Sequence, residues 1–159
     1  MFEQPRIKGG IFTETTAGWY KSLDKNCYAQ VFSNDSLFAA AYTMDKKSLA
    51  GQGLREFIGH FGVMGRLVCN RYKEQTSKGT YFMIEIQKHG INLHFTKPDH
   101  HNQSNVECVI IEIHNKWFWV MLRKKVPQRL WGYGLKWVEE IMQRTAVSAG
   151  SLHYRTSLE

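Results

Sequence analysis

The spacing of hydrophobic side chains changes near residue 46, and this change constrains the fold more than any other feature of the chain. Residues 10–15 and 27–43 are predicted to be strands. Residues 27–32 alternate β-branched or aromatic residues with small ones, and Asn34-Asp35-Ser36 supplies a turn, which predicts an antiparallel hairpin or meander. Between Leu54 and Phe61 the apolar residues recur at helical spacing, which predicts a helix over about 46–61. The chain therefore begins with strands and continues with a helix.

Downstream, strand-like and helix-like patterns alternate. A short buried-type pattern at 66–69 and an alternation of apolar and polar residues at 91–95 predict two further strands. Helical spacing predicts helices over about 77–88, 105–125 and 128–146. Strands followed by alternating helices and strands, with two helices to close, are typical of an α/β domain with a mixed sheet.

The length and charge of the chain limit the classes of function. A chain of 159 residues supports one domain with a hydrophobic core. The formal net charge is +7, from 21 Lys and Arg against 14 Asp and Glu. A basic excess raises the local concentration of polyanions, so nucleic acid is the expected partner class.

The cysteines and the hydropathy favour an intracellular protein. Cys27, Cys69 and Cys108 are too scattered for a disulfide framework or a Cys-x-x-Cys zinc site. No apolar run approaches the roughly 18 residues that span a bilayer, so no membrane partner is expected. The seven histidines lack zinc-finger spacing. We therefore predict an intracellular location, the nucleus included.

Three segments, in this order, carry a resemblance to a known family. They are Lys73-Glu74-Gln75-Thr76, then His101-Asn102-Gln103 leading to Val106-Glu107, then Val126-Pro127-Gln128-Arg129-Leu130-Trp131-Gly132-Tyr133-Gly134. They resemble the integrase catalytic domain of LTR retrotransposon polyproteins, of which this chain looks like a degenerate copy. The resemblance implies a ribonuclease H-like fold: a mixed five-stranded sheet flanked by helices, with a long helix carrying Glu107 and a C-terminal helix. It also implies a single domain over 1–159, with a core at about 10–147 and a truncated tail at 148–159.

The resemblance implies a catalytic site built from three separate elements. In the family, two strand aspartates and a helix glutamate hold two Mg²⁺ or Mn²⁺ ions for DNA strand transfer. Here Glu14, Asn70 and Glu107 stand at those positions, with Glu14 and Glu107 as the metal ligands. Because the amide of Asn70 is neutral and offers one carbonyl oxygen, catalysis is expected to be lost. Glu74 is the nearest acid that could replace it.

The DNA-contacting surface is expected to be weaker than that of the family. The positions four and seven residues after Glu107 are Ile111 and His114, where the family usually has basic residues. Weak, sequence-independent DNA binding is therefore expected. The basic residues predicted to contact nucleic acid are Lys73, Lys116, Arg123, Lys124, Lys125 and Arg129.

Structural explanations compete with this interpretation at each position. Glu14 could be a solvated acid, Asn70 a favourable turn residue, and Ser104-x-x-Glu107 a capping box. Two other functions also remain open. The domain could be an active metal-dependent polynucleotidyl transferase or nuclease that uses Glu74, or a protein-interaction module that forms a homodimer without DNA activity.

Two expectations concern the final helices. Five large aromatic residues are expected to pack the helices together rather than to stack on bases. They are Trp117, Phe118, Trp119, Trp131 and Trp137. Gly132 and Gly134 each cost about 1 kcal/mol inside a helix relative to alanine, which suggests drift from a working sequence.

Overall fold

The computed structural model describes residues 6–36, 38–70, 76–96 and 104–145, with the backbone alone for 104–109. The described strands are β1 (Ile7–Ala17), β2 (Tyr28–Ser33), β3 (Ala39–Met44), β4 (Met64–Cys69) and β5 (Asn92–Phe95). The described helices are α1 (Ala50–Phe61), α2 (Tyr81–Lys88), α3 (Ser104–Arg123) and α4 (Trp131–Arg144). Short 3-10 turns at Lys47–Leu49 and Gln128–Leu130 lead into α1 and α4. The predicted tail at 148–159 lies outside the described residues.

The five strands form one mixed sheet in the order β3-β2-β1-β4-β5. β1 pairs with β2, and β2 with β3, in antiparallel register. β4 pairs in parallel with β1 on one side and with β5 on the other. The predicted α/β fold with a mixed five-stranded sheet, a long helix containing position 107 and a C-terminal helix is confirmed.

Helices cover both faces of the sheet. On one face, α1 and α2 contribute the buried residues Leu54, Phe57, Phe82 and Ile86 to a core cluster. On the other face, α3 and α4 form a second cluster with the opposite side chains of β2 and β3. Because successive strand residues point to opposite faces, β2 and β3 each supply residues to both clusters.

Local capping explains where the first two helices end and begin. α1 ends at Phe61 as predicted, and Gly62 follows with a φ of 100°, a conformation that favours glycine. α2 begins at Tyr81 rather than near 77, because the Thr80 side chain accepts a hydrogen bond from the backbone N–H of Met83. Sequence periodicity does not reveal that cap. None of the described helices is both long and apolar enough to cross a membrane.

The glycines of α4 have a packing role, which corrects the interpretation that they reflect drift. A Cβ atom built on Gly134 would lie 2.7 Å from the sulfur of Met121 in α3, and one on Gly132 would lie 3.2 Å from a methyl of Thr43. Real Cβ contacts are rarely this short. These positions therefore let α4 approach both α3 and the edge of the sheet.

Candidate functional site

The ends of β1 and β4 place two of the predicted site residues side by side. The last parallel pair is Thr13 with Cys69, so Glu14 and Asn70 are the next residues on two adjacent strands. Adjacent strands lie about 4.8 Å apart. Glu14 and Asn70 both line the same cleft, which has a volume of about 280 Å³. The structure thus brings together the first two of the three predicted catalytic positions.

A buried polar network fixes the strand that carries Glu14. Gln30 is fully buried, and its amide Nε2 donates a hydrogen bond to the Thr13 hydroxyl. The Thr13 hydroxyl in turn donates to the carbonyl of Val31 over 2.9 Å, and Thr15 donates to Gln30 over 2.7 Å. The side chains of Thr13 and Thr15 therefore lie on the face of β1 that packs against α1. Because side chains alternate along a strand, Glu14 lies on the face toward α3.

Asn70 is held by a residue that the sequence analysis missed. The hydroxyl of Thr96, the residue after β5, donates a close hydrogen bond to Oδ1 of Asn70. The backbone N–H of Thr96 also bonds to the carbonyl of Cys69 over 3.0 Å. With Oδ1 engaged, the other end of the amide is an NH₂ group, which donates hydrogen bonds and cannot ligate a cation.

Helix α3 forms the opposite wall of the cleft. Ile110, Ile111 and His114 line it, and these positions follow Glu107 by three, four and seven residues. Residues with that spacing share one face of an α-helix. Glu107 itself lies in the first turns of α3, and its side chain is outside the part of the chain that the structure describes.

Burial disfavours the charged forms of two titratable residues of the cleft. It lowers the pKa of His114 below its ordinary value, and the buried Nε2 of this ring has no hydrogen-bond partner among the described residues. Burial also raises the pKa of the Cys69 thiol to about 11. Burial therefore opposes formation of a thiolate nucleophile at this position.

The described donors do not fit a pair of divalent cations. Mg²⁺ prefers carboxylate oxygens that converge from separate elements, and Glu14 is the only carboxylate that the described residues bring to the cleft. Among these residues no group of three or more His, Cys, Asp or Glu is arranged to hold a metal ion. The predicted metal pair would need the carboxylate of Glu107 and a second acid in place of Asn70.

The predicted nucleic-acid-binding residues lie in different places. Lys73 lies outside the described residues, as does Glu74. Lys116 forms an ion pair with Glu112 at 2.7 Å, and Arg123 lies over the ring of Trp119 at 4.1 Å. Helical periodicity puts both basic residues on the face of α3 opposite to the cleft. Three more residues are exposed at the end of α3 and the turn after it: Lys124, Lys125 and Arg129.

The aromatic residues divide into a buried pair and an exposed set. Trp117 and Trp131 pack between α3 and α4 as expected. The expectation is wrong for Phe118, Trp119 and Trp137, which are 50%, 53% and 45% exposed. These three rings stay about half open to solvent, although Trp19 lies beside Phe118 and Arg123 lies over Trp119.

Solved structures with the same fold come from retroviral integrases. The catalytic core domain of BIV integrase has a TM-score of 0.66 and 12% identity, covering 92% of this chain and 89% of that one. The HTLV-2 integrase catalytic core domain, in complex with magnesium, has a TM-score of 0.65 and 14% identity, covering 92% and 91%. This chain has the fold of a retroviral integrase catalytic core. The predicted ribonuclease H-like architecture is thereby confirmed.

A larger assembly contains the same fold within a longer chain. A chain of the simian T-cell lymphotropic virus intasome, in complex with the PP2A regulatory subunit B56 gamma, has a TM-score of 0.70 and 14% identity. The match covers all of the present chain but 62% of that one. No family model and no curated protein sequence matches this chain. At identities this low, the likeness concerns the integrase core fold and not the activity.

Proposed function

We propose that this domain is a nucleic-acid-binding, integrase-core-like domain of retroelement origin whose catalytic site is impaired. The observation that carries the proposal is the cleft where Glu14 and Asn70 meet α3, with an amide where the resemblance implies an aspartate. The fold shared with retroviral integrase cores supports it. Such a domain would act inside the cell, in the nucleus if it meets chromosomal DNA.

The residues of the cleft differ in what they could contribute to a bound metal pair. A bound pair of Mg²⁺ or Mn²⁺ ions would activate the attacking oxygen and stabilise the leaving oxygen of a phosphodiester. Glu14 would supply one carboxylate to such ions, and Glu107 another from the start of α3. Asn70 supplies no charge, and its Oδ1 already accepts a hydrogen bond from Thr96. Catalysis therefore fails at the second ligand.

A nicking assay tests the proposal. We expect no Mg²⁺- or Mn²⁺-dependent nicking of labelled duplex DNA by the parent, and measurable nicking by Asn70→Asp. The aspartate restores the missing charge and can still accept the hydrogen bond from Thr96. The double variant Asn70→Asp, Glu107→Gln should be inactive again, because a second carboxylate is lost.

Two outcomes of this assay would contradict the proposal. Nicking by the parent that Glu107→Gln abolishes would favour the active transferase or nuclease, with another acid such as Glu74 in the second position. A parent and an Asn70→Asp variant that are both inactive, with no affinity for duplex DNA, would favour the protein-interaction module.

An exposed stripe on α4 favours that last alternative. Tyr133, Trp137 and Ile141 recur at intervals of four and are 57%, 45% and 40% exposed. Structures of the HTLV-2 core exist in dimeric and trimeric forms. Sedimentation of the parent and of Trp137→Glu measures their oligomeric states. A dimer that Trp137→Glu dissociates would support a homodimer through α4.

A further inference from the structure

A second concave surface lies at the far end of α3 from the start of the helix. It is a groove of about 670 Å³ whose lining includes Trp19, Tyr20, Phe118, Leu122 and Lys125. Trp19 and Tyr20 are 44% and 57% exposed, and Phe118 is 50% exposed. Large aromatic side chains therefore surround an open groove instead of filling the core, and we call this surface the aromatic groove.

Ring stacking and hydrogen bonds beneath the aromatic groove fix the segments that form it. The ring of Trp19 stacks on the buried ring of Trp117, with centroids 4.8 Å apart and an angle of 15° between the planes. The indole N–H of Trp131 donates to the carbonyl of Tyr20 over 2.7 Å, and the backbone N–H of Leu23 donates to the carbonyl of Arg129 over 2.8 Å. The β1–β2 loop is thus fixed to the α3–α4 connection, so its aromatic rings are preorganised.

Basic side chains dominate the two segments that form the aromatic groove. Residues 18–27 and 118–129 together contain one acid, Asp24. The hydroxyl of Tyr133 already forms a hydrogen bond with that carboxylate, and a further acid, Asp45, lies 3.9 Å from Lys21. The basic residues of the two segments number six: Lys21, Lys25, Arg123, Lys124, Lys125 and Arg129.

The aromatic groove continues the cleft along one stripe of α3. Ile111 and His114 line the cleft, whereas Phe118, Leu122 and Lys125 line the aromatic groove. These positions follow one another at intervals of three or four residues, which is the spacing of neighbours on one helix face. A single strand that leaves the cleft along α3 would therefore reach the exposed aromatic rings.

We propose that the aromatic groove binds an unpaired segment of a nucleic acid strand, with bases stacked on the rings of Trp19, Tyr20 and Phe118. Exposed aromatic rings beside basic side chains are the usual means of binding single strands without sequence preference. An apolar protein partner would leave Lys125, which lines the groove, without an opposite charge. The proposal rests on the nucleic-acid binding proposed above and adds the kind of strand and the place where it binds.

Fluorescence anisotropy with a labelled twelve-nucleotide oligo-dT tests this proposal. We expect Tyr20→Ala and Trp19→Ala each to weaken binding by about tenfold or more, because each removes one stacking platform. Tyr81→Ala serves as the matched control for Tyr20→Ala, since this tyrosine is also exposed but lies on α2 and does not line the aromatic groove. Tyr20→Ala keeps the proposal testable if the loss of the Trp19–Trp117 stack unfolds the domain.

A separate variant tests the contribution of the positive charge of Lys125 to binding. Lys125 has a φ of 49°, a conformation that asparagine tolerates. Lys125→Asn should therefore leave the fold intact and reduce the slope of log affinity against log salt for oligo-dT by about 0.7, the value for one phosphate contact on a single strand.

The outcomes separate this proposal from the proposed function. Equal oligo-dT affinity in the parent, Tyr20→Ala and Trp19→Ala would overturn the aromatic groove as a single-strand site. If duplex binding and the rescue of nicking by Asn70→Asp persist in that case, the proposed function stands. Tight oligo-dT binding that depends on Tyr20, without any rescue by Asn70→Asp, would support the aromatic groove and contradict the proposed origin of the cleft.

Discussion

Replacing Gly51 with alanine is expected to destabilise the domain by about 2 kcal/mol or more, because added volume cannot be relieved at this site. Gly51 is buried in α1 where that helix meets the start of α2. A Cβ atom there would lie 2.4 Å from the ring of Tyr81 and 2.6 Å from the backbone nitrogen of Phe82. Because the second contact is with backbone, α2 as a whole would have to move. Urea unfolding followed by circular dichroism measures the change.

Gly59→Ala provides a control in the same helix. Gly59 is exposed, and no heavy atom would lie within 4 Å of a Cβ atom there. The same substitution should therefore stabilise the domain by up to about 1 kcal/mol, through helix propensity alone. A destabilisation of similar size at both positions would contradict the close α1–α2 contact.

The second large effect is expected in the pH dependence of stability. Burial raises the pKa of Glu139 in α4 to about 7, against the opposing effects of Lys136 and of hydrogen bonds from Ala41 and Gln143. The folded domain therefore holds this proton more tightly than the unfolded chain, whose carboxyl has a pKa near 4.5. The stabilisation by the bound proton is present below pH 4.5 and is lost as the pH rises through 7.

Glu139→Gln should remove the loss of stability at rising pH, because glutamine resembles the protonated acid. We expect the variant and the parent to be equally stable near pH 4.5 and the variant to be more stable by about 3 kcal/mol at pH 8, from about 1.4 kcal/mol for each pKa unit. Urea unfolding between pH 4.5 and 8 measures the difference. Glu140→Gln is the control, since Glu140 is an exposed neighbour. Parallel pH profiles for the parent and Glu139→Gln would contradict the burial of this carboxyl.

Glu139 also has a place in the architecture of the sheet edge. β3 is an edge strand, and the amide Nε2 of Gln143 donates to the carbonyl of Ala39 over 2.6 Å. Glu139 accepts a backbone hydrogen bond from Ala41. These two side chains of α4 occupy polar groups that an exposed edge would offer to another strand. The energetic cost of burying Glu139 thus accompanies protection of the edge.

The periodicity of hydrophobic residues was sufficient to locate the elements that bury one clear face. α1 spans Ala50–Phe61 within the predicted range of 46–61, and β4 contains the predicted strand at 66–69. The strand order was not accessible from periodicity, because pairing partners depend on the whole chain. The resemblance supplied a mixed five-stranded sheet without a strand order, and the solved integrase cores confirm that sheet at the level of fold.

The contacts of the candidate site were harder to predict than its location. Glu14 and Asn70 could be assigned to one site because the resemblance implies that the first two catalytic residues lie on adjacent strands. Thr96 could not be recognised as the partner of Asn70, since its only signal is its position after a short strand. The exposure of Trp19 and Phe118 could not be predicted either, because hydrophobicity alone does not show which face of an element is covered.

The proposed function requires the cleft to be a divalent-metal site that lacks one charge at Asn70. Titration of Mn²⁺, followed by its electron paramagnetic resonance signal, tests this claim without any need for activity. Asn70→Asp should bind Mn²⁺ at least about tenfold more tightly than the parent, because one added charge near a dication contributes about 2 kcal/mol even at the dielectric constant of water. Asn92→Asp adds the same charge at the opposite end of the parallel strands and should leave the affinity unchanged. Equal affinities of the parent and Asn70→Asp, or an equal gain from Asn92→Asp, would contradict the claim.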